Sequence, residues 1–105
     1  MSTELSIKLI KELERAPEQS QRALSQSCGV SVGSIHHCLN ALIEKGFVKA
    51  RNFKNAQNKM AYAYILTPAG LNLKTELTLA FLKRKQAEYE ALQKEIKALE
   101  KDLGR

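Results

Sequence analysis

Tryptophan is absent, and the other aromatics are three Phe and three Tyr in 105 residues, so any core must rest on Leu, Ile, Val and Ala. Five Gly and two Pro are too few for a loop-rich or disordered chain. No apolar run approaches the ~20 residues of a membrane span. The opening Met1-Ser2-Thr3-Glu4-Leu5 has neither the basic nor the apolar region of a secretion signal. Two cysteines, Cys28 and Cys38, are no disulfide framework and fit a reducing compartment. These absences point to one intracellular domain, expected in the cytoplasm.

Acidic residues are also scarce, but only in one region. Of the net charge of +6, residues 19–75 carry the whole: Arg22, Lys45, Lys49, Arg51, Lys54, Lys59 and Lys74 stand against Glu44 alone. The flanking segments nearly balance, at −1 for residues 1–18 and +1 for residues 76–105. A near acid-free middle suits either a solvated face or a polyanionic partner, and the local architecture decides between them.

Residues 3–15 place Leu5, Leu9, Ile10 and Leu13 at helical spacing, and Ala16-Pro17 ends that helix. Ser20 is suited to cap a second helix, Gln21 to Ser27, with Ala23 and Leu24 inward; Gly29 suits the left-handed turn after it. Ser31 caps a third helix reaching about Lys45, whose inner stripe is Ile35, Cys38, Leu39, Leu42 and Ile43. Its outer face carries Gly33, Ser34, His37, Asn40, Ala41 and Glu44, with His36 at the border. Two helices joined by a short Gly-containing turn form a helix-turn-helix. Phe47 to Arg51 alternates as a strand, Asn52 to Met60 is rich in Asn and Lys, and Ala61 to Leu66 is a second strand, so a hairpin wing follows. Thr67-Pro68 opens a helix that nothing interrupts to Leu103 except Gly70, a rod of roughly 50 Å.

The expected fold is mainly α with a small β-hairpin wing: a winged helix-turn-helix over residues 3–67 and one long C-terminal helix over 68–105 as a coiled-coil-like dimer arm. On that helix Leu82, Tyr89, Leu92, Ile96, Leu99 and Leu103 step by 7, 3, 4, 3 and 4, with Lys85 as the polar break. Such a seam predicts a homodimer; packing back onto its own domain is the alternative. A parallel pair would oppose Glu95 and Glu100, and direction stays open.

The run Ser31-Val32-Gly33-Ser34-Ile35-His36-His37-Cys38-Leu39, followed by Leu42 and Lys45-Gly46-Phe47-Val48, resembles the recognition helix and first wing strand of MarR-type regulators. Tyr64-Ile65-Leu66-Thr67-Pro68-Ala69-Gly70 is similar to their exit from the wing. The wing Asn52-Phe53-Lys54-Asn55 with Tyr62-Ala63-Tyr64, and the tail Phe81 to Lys85 through Tyr89, look like a short subgroup associated with exopolysaccharide genes. The likeness spans roughly residues 5–100. Two features depart from it: the wing's Asp-x-Arg is missing from Asn55 to Lys59, and the winged domain begins near residue 5 without an extra N-terminal helix. Dimerisation is therefore expected on the C-terminal helix, and no small-molecule effector is assigned.

In this fold helix 31–45 enters the major groove. Double-stranded DNA is the expected partner. Ser31, Gly33, Ser34, His36, His37 and Asn40 are the candidates on that helix. Wing 51–60 would lie on the backbone or in the minor groove, through Arg51, Lys54, Asn55, Asn58 and Lys59. Ser20, Gln21 and Arg22 suit a phosphate at a helix start. A dimer would read an inverted repeat, as a repressor, in the nucleoid. Cys28, His36, His37 and Cys38 match no common metal spacing, a redox role for Cys28 is disfavoured by its place at a helix C-terminal end, and no cofactor is expected. No phosphate loop, nucleophilic triad or carboxylate cluster suggests an enzyme. The near charge balance of residues 76–105 argues against a membrane-surface helix. The competing reading is a protein-binding winged-helix adaptor, which would carry an exposed apolar patch on the winged domain.

Overall fold

The structure is a computed structural model that describes residues 3–53 and 61–105. In chain order it has α1 (Thr3–Arg15), α2 (Gln21–Cys28), α3 (Val32–Glu44), β1 (Val48–Phe53), β2 (Ala61–Leu66) and α4 (Pro68–Asp102). The two strands pair antiparallel, with Val48 opposite Leu66 and Phe53 opposite Ala61. The winged helix expected from the sequence is present, with the long terminal helix.

Helices α2, α3 and α4 each begin where a hydroxyl can satisfy free amides. Ser20 Oγ accepts from Ala23 N, Ser31 Oγ from Ser34 N, and Thr67 Oγ1 from Gly70 N. Helix α3 ends in a Schellman turn: Phe47 N donates to Leu42 O, and Gly46, at φ +81°, donates to Ile43 O. That turn holds Phe47, so β1 starts at Val48 rather than at Phe47 as expected, and it runs two residues further than Arg51.

One apolar core unites the three short helices and the hairpin. Leu9, Ile10, Leu13, Leu24, Ile35, Cys38, Leu39 and Leu42 are at most 2% exposed, and Val48 and Tyr64 close the core from the strands. At about 1.5–3 kcal/mol per fully buried aliphatic side chain, this stripe is what holds α3 in place. Cys28 and Cys38 are not joined in a disulfide, and both lie inside it. Burial pushes both thiols above their ordinary range, so they behave as small hydrophobes. Ser6 Oγ lies 3.9 Å from Cys38 Sγ within the core.

The sequence pattern showed one inward face on α1; the structure shows two. Besides Leu9, Ile10 and Leu13, α1 buries Ser6, which meets Cys38 on the same inner side, and Ile7, which lies toward α4 beside Phe81. Glu4 pairs with Arg84 at 3.3 Å and Glu14 with Lys74, so the two helices run antiparallel. Leu73, Leu77 and Phe81 are half-buried, but from Leu82 onward every residue of α4 is exposed. Its 35 residues make a rod of about 52 Å.

The rod is joined to the domain at one tight point. Thr67 N donates to Phe47 O at 3.1 Å, and Thr67 Oγ1 donates to Gly46 O at 2.6 Å. A Cβ on Gly70 would stand 2.0 Å from Phe47 O, a backbone atom that cannot swing aside. Gly70→Ala should therefore push α4 off the α3–β1 turn and cost about 1–3 kcal/mol. Thermal unfolding followed by circular dichroism checks this; a melting temperature equal to wild type would refute the close approach.

Candidate nucleic-acid interface

Burying the stripe of α3 fixes which residues it shows to solvent. Ser31, Val32, Gly33, Ser34, His36, His37 and Asn40 are all exposed on the N-terminal two-thirds of the helix. Ser31 and Ser34 share a hydrogen bond between their hydroxyls at 2.9 Å, which leaves the helix start compact. A Cβ on Gly33 would meet only Ser31 Oγ at 3.8 Å, so the fold itself does not require glycine there. Asn40 Nδ2 donates to His36 Nε2 at 3.0 Å. These two side chains form a joined polar pair one turn apart, and His37 stands beside them on the exposed surface. Ala41, expected on the outer face, is half-buried.

Val32 is a surface residue the sequence reading passed over. It is 42% exposed at the first position of α3. The signal was available: a β-branched apolar residue directly after the cap and outside the inner stripe. A methyl-bearing side chain there can meet a thymine methyl in a major groove.

The start of α2 divides into committed and free groups. Ser20 is exposed and caps the helix. Gln21 is half-buried, and its Nε2 donates to Tyr64 Oη at 3.4 Å, so this side chain serves the junction with the hairpin. Arg22 is exposed. On the hairpin Arg51 is exposed opposite Ala63, and Tyr62 is 56% exposed with its ring stacked on Tyr64 at 6.2 Å. Tyr62 was also missed as a candidate, since alternation alone does not tell which end of a strand leaves the core. Lys54, Asn55, Asn58 and Lys59 lie outside the described residues.

Among the described residues Arg15, Lys74, Arg84 and Lys85 each pair with a carboxylate. Arg22, Lys45, Lys49 and Arg51 pair with none, as do several lysines of α1 and α4. Those four are exposed and lie in the acid-poor middle of the chain, where Glu44 is the one carboxylate. Exposed, unneutralised cations beside small polar groups are the electrostatics of a phosphate-contacting surface. An adaptor's apolar patch has a different composition: on residues 3–67 the large exposed hydrophobics among those described are Val32 and Tyr62.

Comparison with known proteins agrees with this geometry. Residues 2–49 match the family described as winged helix-turn-helix DNA-binding. No curated protein matches the chain in sequence. Among solved structures, a PadR-like transcriptional regulator from Bacillus cereus is 18% identical, with 85% of this chain and 91% of that one covered at a TM-score of 0.75. The PcaV transcriptional regulator of Streptomyces coelicolor is 18% identical over 79% of this chain, at a TM-score of 0.66, and only 60% of PcaV is spanned. A MarR/EmrR family transcriptional regulator from Acinetobacter sp. ADP1 is 21% identical over 93% of this chain and 73% of its own, at a TM-score of 0.59. The chain thus has the winged-helix fold these regulators share, and its first half carries the winged helix-turn-helix DNA-binding signature.

Proposed function

We propose that the protein is a dimeric transcriptional regulator of MarR type that binds double-stranded DNA. The observation that carries this reading is the exposed, largely polar face of α3 from Ser31 to Asn40, in a segment whose cations Arg22, Lys45, Lys49 and Arg51 are exposed and unpaired. Residues 3–67 act as the reading head and 68–105 as the dimer arm. The N-terminal half of α3 reads base edges in the major groove, His37 toward a guanine acceptor and Asn40 toward adenine. Arg22, Arg51 and the wing hold phosphates, which set affinity and register.

The arm supports dimerisation because Leu82, Tyr89, Leu92, Ile96, Leu99 and Leu103 are 46–72% exposed in a regular stripe on one chain. A two-fold dimer reads an inverted repeat with half-site centres about 10 bp or a multiple apart. Repression rather than activation is the proposed mode, and exopolysaccharide genes as its target rest on the resemblance of the wing and tail. A DNA-bound regulator works in the cytoplasm, at the nucleoid; among the described residues no helix is long and apolar enough to cross a membrane.

Binding to random duplex DNA, followed by fluorescence anisotropy, should weaken ~10³–10⁵-fold between 50 and 200 mM salt if 6–10 phosphates are contacted. Absence of binding at 50 mM salt would turn the reading toward the adaptor. Within DNA binding, Arg51→Ala should weaken all sequences alike and flatten the salt slope, while His37→Ala should lower the ratio of operator to random affinity. Equal effects of the two on that ratio would refute the assigned roles.

Gly33→Ala separates folding from reading. Alanine at this exposed helical position should raise stability by up to about 1 kcal/mol. Operator affinity should fall if the backbone approaches DNA there, and unchanged affinity in a stabilised variant would remove Gly33 from the interface. Truncation after Arg84 keeps the Glu4 pair and removes most of the seam, so sedimentation at micromolar concentration should show a folded monomer. A persisting dimer would place the interface elsewhere.

A further inference from the structure

The apolar stripe of α4 is flanked by one edge of a single charge. Phe81, Glu88, Glu95 and Asp102 follow at seven-residue intervals and so lie along one line beside the stripe. The opposite edge, Gln86 and Gln93, is neutral until Glu100. Near the domain, the acidic edge runs into a groove of about 330 Å³ between α1 and α4, lined by Glu4, Ile7, Lys8, Lys11, Phe81 and Lys85. Three lysines over an apolar floor thus stand at one end of the line, and carboxylates occupy the rest of it.

Chain direction decides whether these charges meet. In a parallel pair each edge faces the partner's opposite edge, so Glu95 opposes Glu100 and the three lysines are left at the far end of the rod. In an antiparallel pair like edges face each other, and the carboxylates of one arm run toward the groove of the other chain. We infer that two copies of this chain pair their α4 helices antiparallel, each arm laying its acidic edge beside Lys8 and Phe81 of the partner groove.

The apolar residues select a register. Setting Leu82 against the partner's Leu92 brings Leu71 against the partner's Leu103 and Thr75 against the partner's Leu99. Leu71 and Leu79 are 47% and 54% exposed and extend the stripe back to the domain, and this register covers the stripe through Leu71. The polar break Lys85 then faces the Tyr89 ring of the partner, a cation over an aromatic. Glu95 comes level with Phe81 and Lys8 of the partner, because the Glu4–Arg84 and Glu14–Lys74 pairs put Lys8 one residue from the level of Phe81. One unfavourable contact remains, Glu88 against its own copy at the two-fold axis, and each Glu88 is already held by Lys85 at 3.2 Å.

This inference rests on the dimer reading, and cross-linking in the full chain separates the two. Leu99→Cys alone, under mild oxidation, should give no covalent dimer, since the two copies sit about 36 Å apart along the axis, 24 residues at 1.5 Å each. Mixed with the Thr75→Cys chain it should give a covalent heterodimer; Cys28 and Cys38 are buried and stay out of the exchange. Lys8→Glu should weaken dimerisation about two- to thirtyfold through its two symmetric contacts, and Glu95→Lys in the same chain should restore it. A covalent dimer from Leu99→Cys alone would overturn the antiparallel pairing and leave the dimer standing. A sedimenting dimer that cross-links at neither pairing would overturn the register, and a monomer at tens of micromolar would overturn both readings.

Discussion

The approach of Gly70 to the carbonyl of Phe47 is the constraint on which the rest of the molecule depends. It locks the first turn of α4 against the turn that closes α3, and Thr67 ties the same two backbones from the other side. Helix α3 and the rod therefore share one joint. The winged domain is placed relative to the rod by these backbone contacts and by α1 lying along α4, with no linker between them: β2 ends at Leu66 and α4 begins at Pro68.

Around that joint the chain separates its charges by use. Carboxylates of α1 neutralise cations of α4, which fastens the rod along the domain at Glu4 and Glu14. Exposed pairs of this kind contribute about 0–1 kcal/mol each, so they orient the rod more than they stabilise it. Arg22, Lys45, Lys49 and Arg51 of the middle segment have no such partners among the described residues and keep their full field toward solvent. A protein made only to be stable gains nothing from leaving them so; a polyanion supplies what they lack.

Most of the fold could be read from the sequence because its signals are local. Serine or threonine caps, Gly29 and Gly46 at turns, and the spacing of Ile35, Cys38, Leu39 and Leu42 each act within a few residues. The strand boundary at Val48 was missed by one residue because the turn that closes α3 holds Phe47 through its bond to Leu42. The second buried face of α1 was missed for a long-range reason: Ile7 is covered by a helix more than sixty residues away in sequence. At the site, the outer face of α3 was legible from periodicity. The commitment of Gln21 to Tyr64, the joining of His36 and Asn40, and the exposure of Val32 and Tyr62 needed three dimensions.

A rigid joint followed by an unbroken helix turns residue count into angle. Each residue between Gly70 and the seam advances the rod by ~1.5 Å and rotates it by ~100°. In the proposed dimer, one residue inserted there would swing the partner's winged domain about a quarter-turn or more around the rod. Seven would bring it back nearly to phase while lengthening the span by ~10 Å. On the proposed reading, the twelve steps from Gly70 to Leu82 act as a vernier that sets where on a double helix the two winged domains can sit together.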